Sequence, residues 1–262
     1  GGFLHCLIFA KKTLRYFLQC AYDGAHFSGW QRQPNAPSIQ EAIEEALHLL
    51  LGEQIPIVAA GRTDAGVHAR DMYAHFDYTE IEQPDYLVHR LNALLHQSIS
   101  VRQIIPVHEQ AHARFDATSR SYQYLISREK DPFLADWSYG FYQPLAIDLM
   151  NQAAQLLLHH RDFECFSKTH TDVHTFICTI THARWREEGN LWVFDITADR
   201  FLRNMVRAIT GTLLWVGQGK LDLAGFQEVL DRKNRSLAGP SVPAKGLYLT
   251  QVLYPYLPPT NR

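Results

Sequence analysis

The sequence predicts an α+β protein built of two halves, and three observations predict it. Strand-like and helix-like segments alternate along the whole of its 262 residues. The second half loosely repeats the rhythm of the first, so that each half holds strands and at least two helices. At roughly 100–200 residues per domain, the length accommodates one large domain or two modest ones.

Leu14–Tyr22 reads as a strand ended by the turn pair Asp23-Gly24. Ser38, with Glu41 three residues on, has the form of a capping box opening a helix. Ile39, Ala42, Ile43, Ala46, Leu47 and Leu50 fall on one face of that helix, and Gly52 is a stop. Ile55–Ala60 and Asp71–Tyr78 read as strands, Asp85–Leu95 as a helix and Ser100–Val107 as a strand. In the second half Ser119–Ser127 is a strand and Asp148–Leu158 a helix. Phe176–Arg186 and Leu191–Ala198 form a hairpin about Glu188-Gly189-Asn190. Arg203–Val216 and Leu223–Leu230 are helices, and Gly246–Tyr254 is a last strand. The halves divide near residues 108–115, giving an extension over 1–12 and halves over 13–110 and 111–262.

Hydrophobic residues make up 46% and charged residues 20%, a balance that excludes a disordered chain. No apolar run reaches the ~20 residues of a membrane-spanning helix. Phe3–Ala10 is apolar but precedes Lys11 and Lys12, whereas a signal peptide puts its charges first, so residues 1–12 read as a leader or poorly ordered extension. Four cysteines without a C-x-x-C pair point to free thiols and the cytoplasm. The net charge of −2 argues at first against a nucleic-acid partner. The charges are sorted, however: segments 101–130, 184–220 and 221–262 are each net positive, whereas 53–100 and 131–183 are net negative. Of the 25 basic residues 18 are Arg, suited to phosphate contact and base stacking. A basic cleft on a weakly acidic body is the expectation.

Four segments carry candidate chemistry. Ala60-Gly61-Arg62-Thr63-Asp64-Ala65-Gly66-Val67-His68 follows a strand and sets a lone carboxylate between glycines. It is either a sharp loop displaying Asp64 as nucleophile or base, or a tight turn in which Asp64 only bonds backbone amides. Tyr22–Gln33 mixes aromatics, amides and a cation, as a base-stacking loop or as a surface loop with one anchored Trp. On the strand Ser119–Ser127, Arg120, Tyr122 and Tyr124 share a face, suiting either an exposed base or helix packing. Arg203 and Arg207 are i and i+4 on a helix, a solvated basic face unless something opposes it. Cys165, His170, His174 and Cys178 are metal-like in spacing but lack a C-x2-C knuckle, and no metal site is expected.

Together these segments resemble the bacterial tRNA pseudouridine synthase A family. Tyr22–Gln31, Ala60–His68, Arg120–Tyr124, Met205–Arg207 and Gly246–Leu249 match five family motifs in order, over roughly residues 14–255. The resemblance implies two ferredoxin-like halves joined into a continuous, mainly antiparallel sheet with helices on one side and a central cleft. It implies a homodimer without cofactor or metal that converts uridine to pseudouridine at positions 38, 39 and 40 of the tRNA anticodon stem-loop. Residue by residue, Asp64 matches the catalytic aspartate and Tyr122 the base-stacking tyrosine. Arg62 matches the arginine that fills the space of the flipped base, and Arg207 the arginine paired with the carboxylate. Leu247 matches the apolar residue beneath the uracil. Two positions depart from the pattern: His170–Ile177 lacks a basic residue common in relatives, and Asn204 stands where many have His. The rivals are a non-catalytic tRNA-binding or folding protein on the same scaffold, which the intact Asp64 loop disfavours, and an enzyme acting on another uridine or another RNA.

Overall fold

The computed structural model describes residues 12–260, so all but the last residue of the expected N-terminal extension lies outside the described residues. The first half comprises β1 (Leu14–Tyr22), α1 (Ile39–Leu51), β2 (Val58–Ala59), β3 (His68–Tyr78), α2 (Pro84–Leu94) and β4 (Ile99–Val107). The second comprises β5 (Ser119–Ser127), β6 (Tyr139–Gly140), α3 (Ile147–Leu157), β7 (Ile180–Glu188), β8 (Leu191–Ala198), α4 (Met205–Gly217), α5 (Leu223–Arg232) and β9 (Leu247–Leu253). One sheet runs through both halves in the order β4-β1-β3-β9-β5-β8-β7, with β2 beside β3 and β6 beside β5. Its long pairings are antiparallel, so the α+β class and the two-half rhythm stand.

The halves meet where β3 runs parallel to β9, through only two residue pairs, His68 with Tyr248 and Ala69 with Leu249. α1 packs on α2, and α3 on α4 and α5, so the helical layer parts at that seam. Two apolar cores lie on either side. One is filled by Trp185, Phe194, Ile209, Leu213 and Phe226, the other by Phe17, Ile43, Leu47, Met72 and Phe76. β9 belongs by sequence to the second half, yet its Leu249 and Val252 enter the core of the first half, with Phe17 and Met72. Tyr122 on β5 packs against both cores.

The local signals explain most boundaries. The Ser38 hydroxyl accepts the Glu41 N–H at 3.2 Å, and Gly52 closes α1 at φ 77°. Four expectations fail, each for a visible reason. β3 starts at His68 and not at Asp71, because His68 and Ala69 pair with Tyr248 and Leu249 of β9. Ile55–Ala60 is a strand only at Val58–Ala59, because the Ile57 N–H donates to the Glu44 carboxylate at 3.1 Å instead of joining a ladder. β7 starts at Ile180, because Phe176 and Ile177 pair back onto Phe163 and Asp162. α4 starts at Met205 rather than Arg203, because Asn204 adopts the left-handed conformation at φ 67°.

Gly211 lies inside α4 under the 239–241 segment, where an added Cβ would stand 1.7 Å from the Pro240 carbonyl oxygen. In an open helix Gly→Ala stabilises by about 1 kcal/mol. Here overpacking reverses the sign: Gly211→Ala is expected to lower unfolding free energy by about 1–3 kcal/mol in urea titration.

Candidate active site

The Asp64 loop is positioned by the chain on either side of it. The Thr63 hydroxyl is paired with the buried Tyr22 hydroxyl at 2.8 Å, and the Thr63 carbonyl accepts the Trp30 N–H at 3.1 Å. The Val67 N–H turns back onto the Asp64 carbonyl at 3.1 Å, with Gly66 at φ 81°. Segment 24–29 lies so close that a Cβ on Gly24 would sit 2.0 Å from the Val67 carbonyl, and one on Gly29 2.4 Å from the Thr63 carbonyl. The Tyr22–Gln33 segment is therefore a brace for this loop. Trp30 is only 3% exposed, so it is an anchor and not a stacking platform.

His68 closes the loop onto the other half. Its Nε2–H donates to the Lys245 carbonyl at 3.0 Å, and its Nδ1 accepts the Gly24 N–H at 3.0 Å. The ring stacks on Tyr248 at 4.6 Å, and burial holds its pKa below the ordinary histidine value. Asp23 stands beside it at 3.1 Å and also accepts the Trp137 indole N–H, which brings in residues 131–138 of the second half.

Two guanidinium groups face the Asp64 carboxylate, which is 30% exposed. Arg207 Nη1 lies 3.4 Å from Oδ2, and Arg203 Nε lies 3.6 Å from Oδ1. Arg207 is in the first turn of α4, whereas Arg203 precedes the helix. Their shared direction comes from the Asn204 turn and not from i,i+4 spacing on one helix. The loop thus presents its carboxylate to two cations across the seam, and Asp64 is not merely a backbone-bonding turn residue.

Tyr122 lies in the same neighbourhood, half-buried, with its ring edge-on to Phe201 at 5.1 Å. The β5–β9 register shifts beside it, with Thr250 as the extra residue donating its hydroxyl to the Ser121 carbonyl at 3.1 Å. Such a bulge re-aims a side chain. Burial pushes the Tyr122 phenol up to about 12; Arg120 opposes that rise, and the nearby charge of Asp64 adds to it. Leu247 is 6% exposed and clusters with Val67 and Tyr124 in the second core, with Tyr122 packed against that core. Arg62 is exposed, and no hydrogen bond or ion pair holds its guanidinium among the described residues.

The rest of the expected basic-aromatic face is structural. Tyr124 is fully buried and donates its hydroxyl to the Pro243 carbonyl at 2.6 Å. Arg120 is consumed by four backbone carbonyls, of Ala60, Arg114, Ala117 and Asp199. Cys165 and Cys178 are buried in the apolar core, where burial pushes both thiols up to about 12, while His170 and His174 are exposed. The four do not converge, and among the described residues no cluster of His, Cys, Asp and Glu is placed to hold a metal. Sequence reasoning assigns no site role to His68, Asp23, Phe201 or Trp137; the available signals are that His68 and Asp23 both stand inside matched motifs, Ala60–His68 and Tyr22–Gln31.

A single carboxylate thus stands between two arginines, at a seam walled by an aromatic and aliphatic residues. A family model described as tRNA pseudouridine synthase matches residues 20–116 and 153–255. Among similar proteins, the tRNA pseudouridine synthase A of Parabacteroides distasonis is 52% identical over 242 residues, spanning 92% of this chain and 96% of that one. The tRNA pseudouridine synthase A of Bacteroides fragilis is 52% identical over 243 residues, with the same coverage. That of Aliivibrio salmonicida is 38% identical over 244 residues, spanning 92% of this chain and 93% of its own. The chain belongs to the tRNA pseudouridine synthase A family, a family of isomerases.

His68→Phe keeps the stack on Tyr248 but leaves the Gly24 N–H and the Lys245 carbonyl without their partner. Each buried polar group left unpaired costs about 1–3 kcal/mol, so a loss of at least that size is expected in urea unfolding. Wild-type stability in this variant would show the two bonds to be dispensable.

Proposed function

We propose that this protein isomerises uridine to pseudouridine at positions 38, 39 and 40 of the tRNA anticodon stem-loop, with Asp64 as the catalytic carboxylate. The observation that carries this reading is the placement of Asp64 at the seam, 3.4 Å from Arg207 and 3.6 Å from Arg203. The reaction breaks the N1–C1′ bond, forms a C5–C1′ bond and moves one proton from C5 to solvent while N1 gains one. A base inside a helix cannot reach a side chain, so the target nucleotide leaves the stack. Unstacking costs a few kcal/mol. Stacking on Tyr122 and insertion of the unengaged Arg62 into the vacated space offset it.

Asp64 acts as the anion in each of three routes: attack on C1′, addition to C6, or removal of a ribose proton. Arg207 compensates its charge and is itself fixed, its Nε donating to the Val242 carbonyl at 2.9 Å. The detached uracil has to turn before C5 meets C1′, and it must not escape. Leu247 and Val67 supply the dry apolar wall that keeps it in place. With its phenol raised to about 12, Tyr122 stays protonated at neutral pH and carries no competing charge beside Asp64. The protein works as a homodimer in the cytoplasm, without a cofactor, each tRNA touching both subunits. Among the described residues no helix is long and apolar enough to cross a membrane.

Asp64→Asn is expected to bind tRNA yet release no tritium from 5-labelled uridine. Turnover in that variant would overturn the assignment. Mapping pseudouridine in RNA from cells lacking the protein tests the three positions. Tyr122→Phe keeps the stacking face and is expected to bind tRNA normally with slowed turnover. A wild-type rate there removes the hydroxyl from proton transfer.

A further inference from the structure

The two arginines that face Asp64 are anchored very differently. Arg207 is 22% exposed and locked: its Nε donates to the Val242 carbonyl at 2.9 Å, and the Val242 N–H donates back to the Arg207 carbonyl at 3.2 Å. The Arg203 side chain is 59% exposed, and among the described residues its one polar contact is Asp64 Oδ1, at the longer distance of 3.6 Å. Its backbone, by contrast, is fixed. The Lys168 N–H donates to the Arg203 carbonyl at 3.1 Å, and the next residue, Asn204, is held at φ 67° with its side-chain amide donating to the Ser241 hydroxyl at 2.6 Å. A non-glycine residue in the left-handed region costs energy and persists where the surroundings fix it. Here it turns Arg203 out of α4 and aims a long cationic side chain over the mouth of the site. Phe201, two residues earlier, forms the edge contact with Tyr122, so this same turn borders the place proposed for the flipped base. α4 itself begins at Met205 without a side-chain cap from Asn204.

We propose that Arg203 is an exchangeable phosphate ligand: it rests on Asp64 in the free protein and transfers to a backbone phosphodiester of the target strand when RNA binds. A loose, largely solvated ion pair is weak and easily given up, whereas arginine meets a phosphate with two parallel hydrogen bonds. The exchange has two consequences at once. It adds one phosphate contact, and it withdraws one of the two cations from Asp64 as the base arrives, leaving Arg207 as the sole partner of the carboxylate. No bond is made or broken in this step. The inference rests on the reading that RNA is brought to Asp64, but its readout is binding, whereas that reading is tested by turnover.

The experiment is equilibrium binding of unmodified tRNA across a KCl series for wild type, Arg203→Gln, Arg203→Lys, Asp64→Asn and the double variant Asp64→Asn/Arg203→Gln. Each phosphate neutralised contributes about 0.7–0.9 to the slope of log affinity against log salt. Arg203→Gln is therefore expected to flatten the slope by about that amount and to weaken binding about tenfold near 0.1 M salt. The kinetic loss should fall on KM rather than kcat, and Arg203→Lys should restore the slope. Asp64→Asn should bind tRNA more tightly than wild type, because Arg203 is released in advance, and should gain less in the Arg203→Gln background. An unchanged slope in Arg203→Gln, or strictly additive effects in the double variant, overturns the exchange. So does a kcat loss at constant KM. Turnover retained by Asp64→Asn would instead refute the catalytic role of Asp64 and leave the slope comparison standing.

Discussion

The parallel junction of β3 with β9 is the constraint on which the site depends. Two residue pairs are a short ladder for joining two halves, each with its own core. The seam is therefore stitched by polar side chains. His68 spans it from Gly24 to Lys245, Arg120 spans it by donating to the Ala60 carbonyl on one side and the Asp199 carbonyl on the other, and Trp137 reaches across to Asp23. Burial lowers the Arg120 pKa, yet arginine keeps its charge in such sites, and every carbonyl it meets is a backbone acceptor at a chain turn or strand end. Directional bonds of this kind fix the relative placement of two rigid bodies more sharply than apolar contact, which tolerates sliding. Asp64 and its arginines come from opposite bodies, so their separation is set by this stitching.

The same constraint explains what could be read from the chain and what could not. Periodicity located α1, its Ser38 cap and its Gly52 stop, because those signals are local. It misjudged 55–60, because a distant carboxylate, Glu44, took the Ile57 N–H that a strand would have used. The Asp64 loop was legible as an unusual cluster of glycines and charge. Its partners were not: nothing in the spacing of Arg203 and Arg207 reveals that a left-handed Asn204 separates them, or that both end on one carboxylate some 140 residues earlier in the chain. Motif reading also could not tell Tyr122 from Tyr124. They share a strand face, but Tyr124 lies deep under Pro243, while Tyr122 stands beside the bulge at the edge of both cores. Trp30 misled in the opposite direction, since an aromatic in a polar loop has the composition of a base-stacking surface until its burial is known.

Grouped by what holds them, the residues around Asp64 form three classes. Arg207, Leu247 and Val67 are fixed by the second core and its backbone. Tyr122 packs against both cores, with its ring edge-on to Phe201. Arg62 and Arg203 have exposed side chains, and the Arg203 backbone is anchored by the Lys168 N–H. Under the proposed function, a site that admits a nucleotide and then holds a detached base needs both kinds. On that reading fixed groups would define the geometry of the reaction, and the exposed cations would adapt to the incoming backbone. Placing the mobile groups on arginine also limits the entropic cost of ordering them, because the planar fork loses less freedom per bond formed than a lysine ammonium.

The near-neutral total charge then loses its force as an argument against RNA. Charges separated by more than about 8–10 Å in physiological salt are largely screened from one another, so an approaching phosphate responds to its neighbourhood and not to the sum over the chain. Around Asp64 that neighbourhood holds Arg62, Arg203 and Arg207 against one carboxylate. Acidic groups elsewhere are engaged locally, as Asp77 is by Arg15 at 2.8 Å and Asp162 by Lys233 at 2.9 Å. A weakly acidic protein can thus present a basic mouth. Arg203 and Arg207 come from the net-positive segment 184–220 but Arg62 from the net-negative segment 53–100, so the fold, and not the sorting of charge along the chain, assembles this neighbourhood.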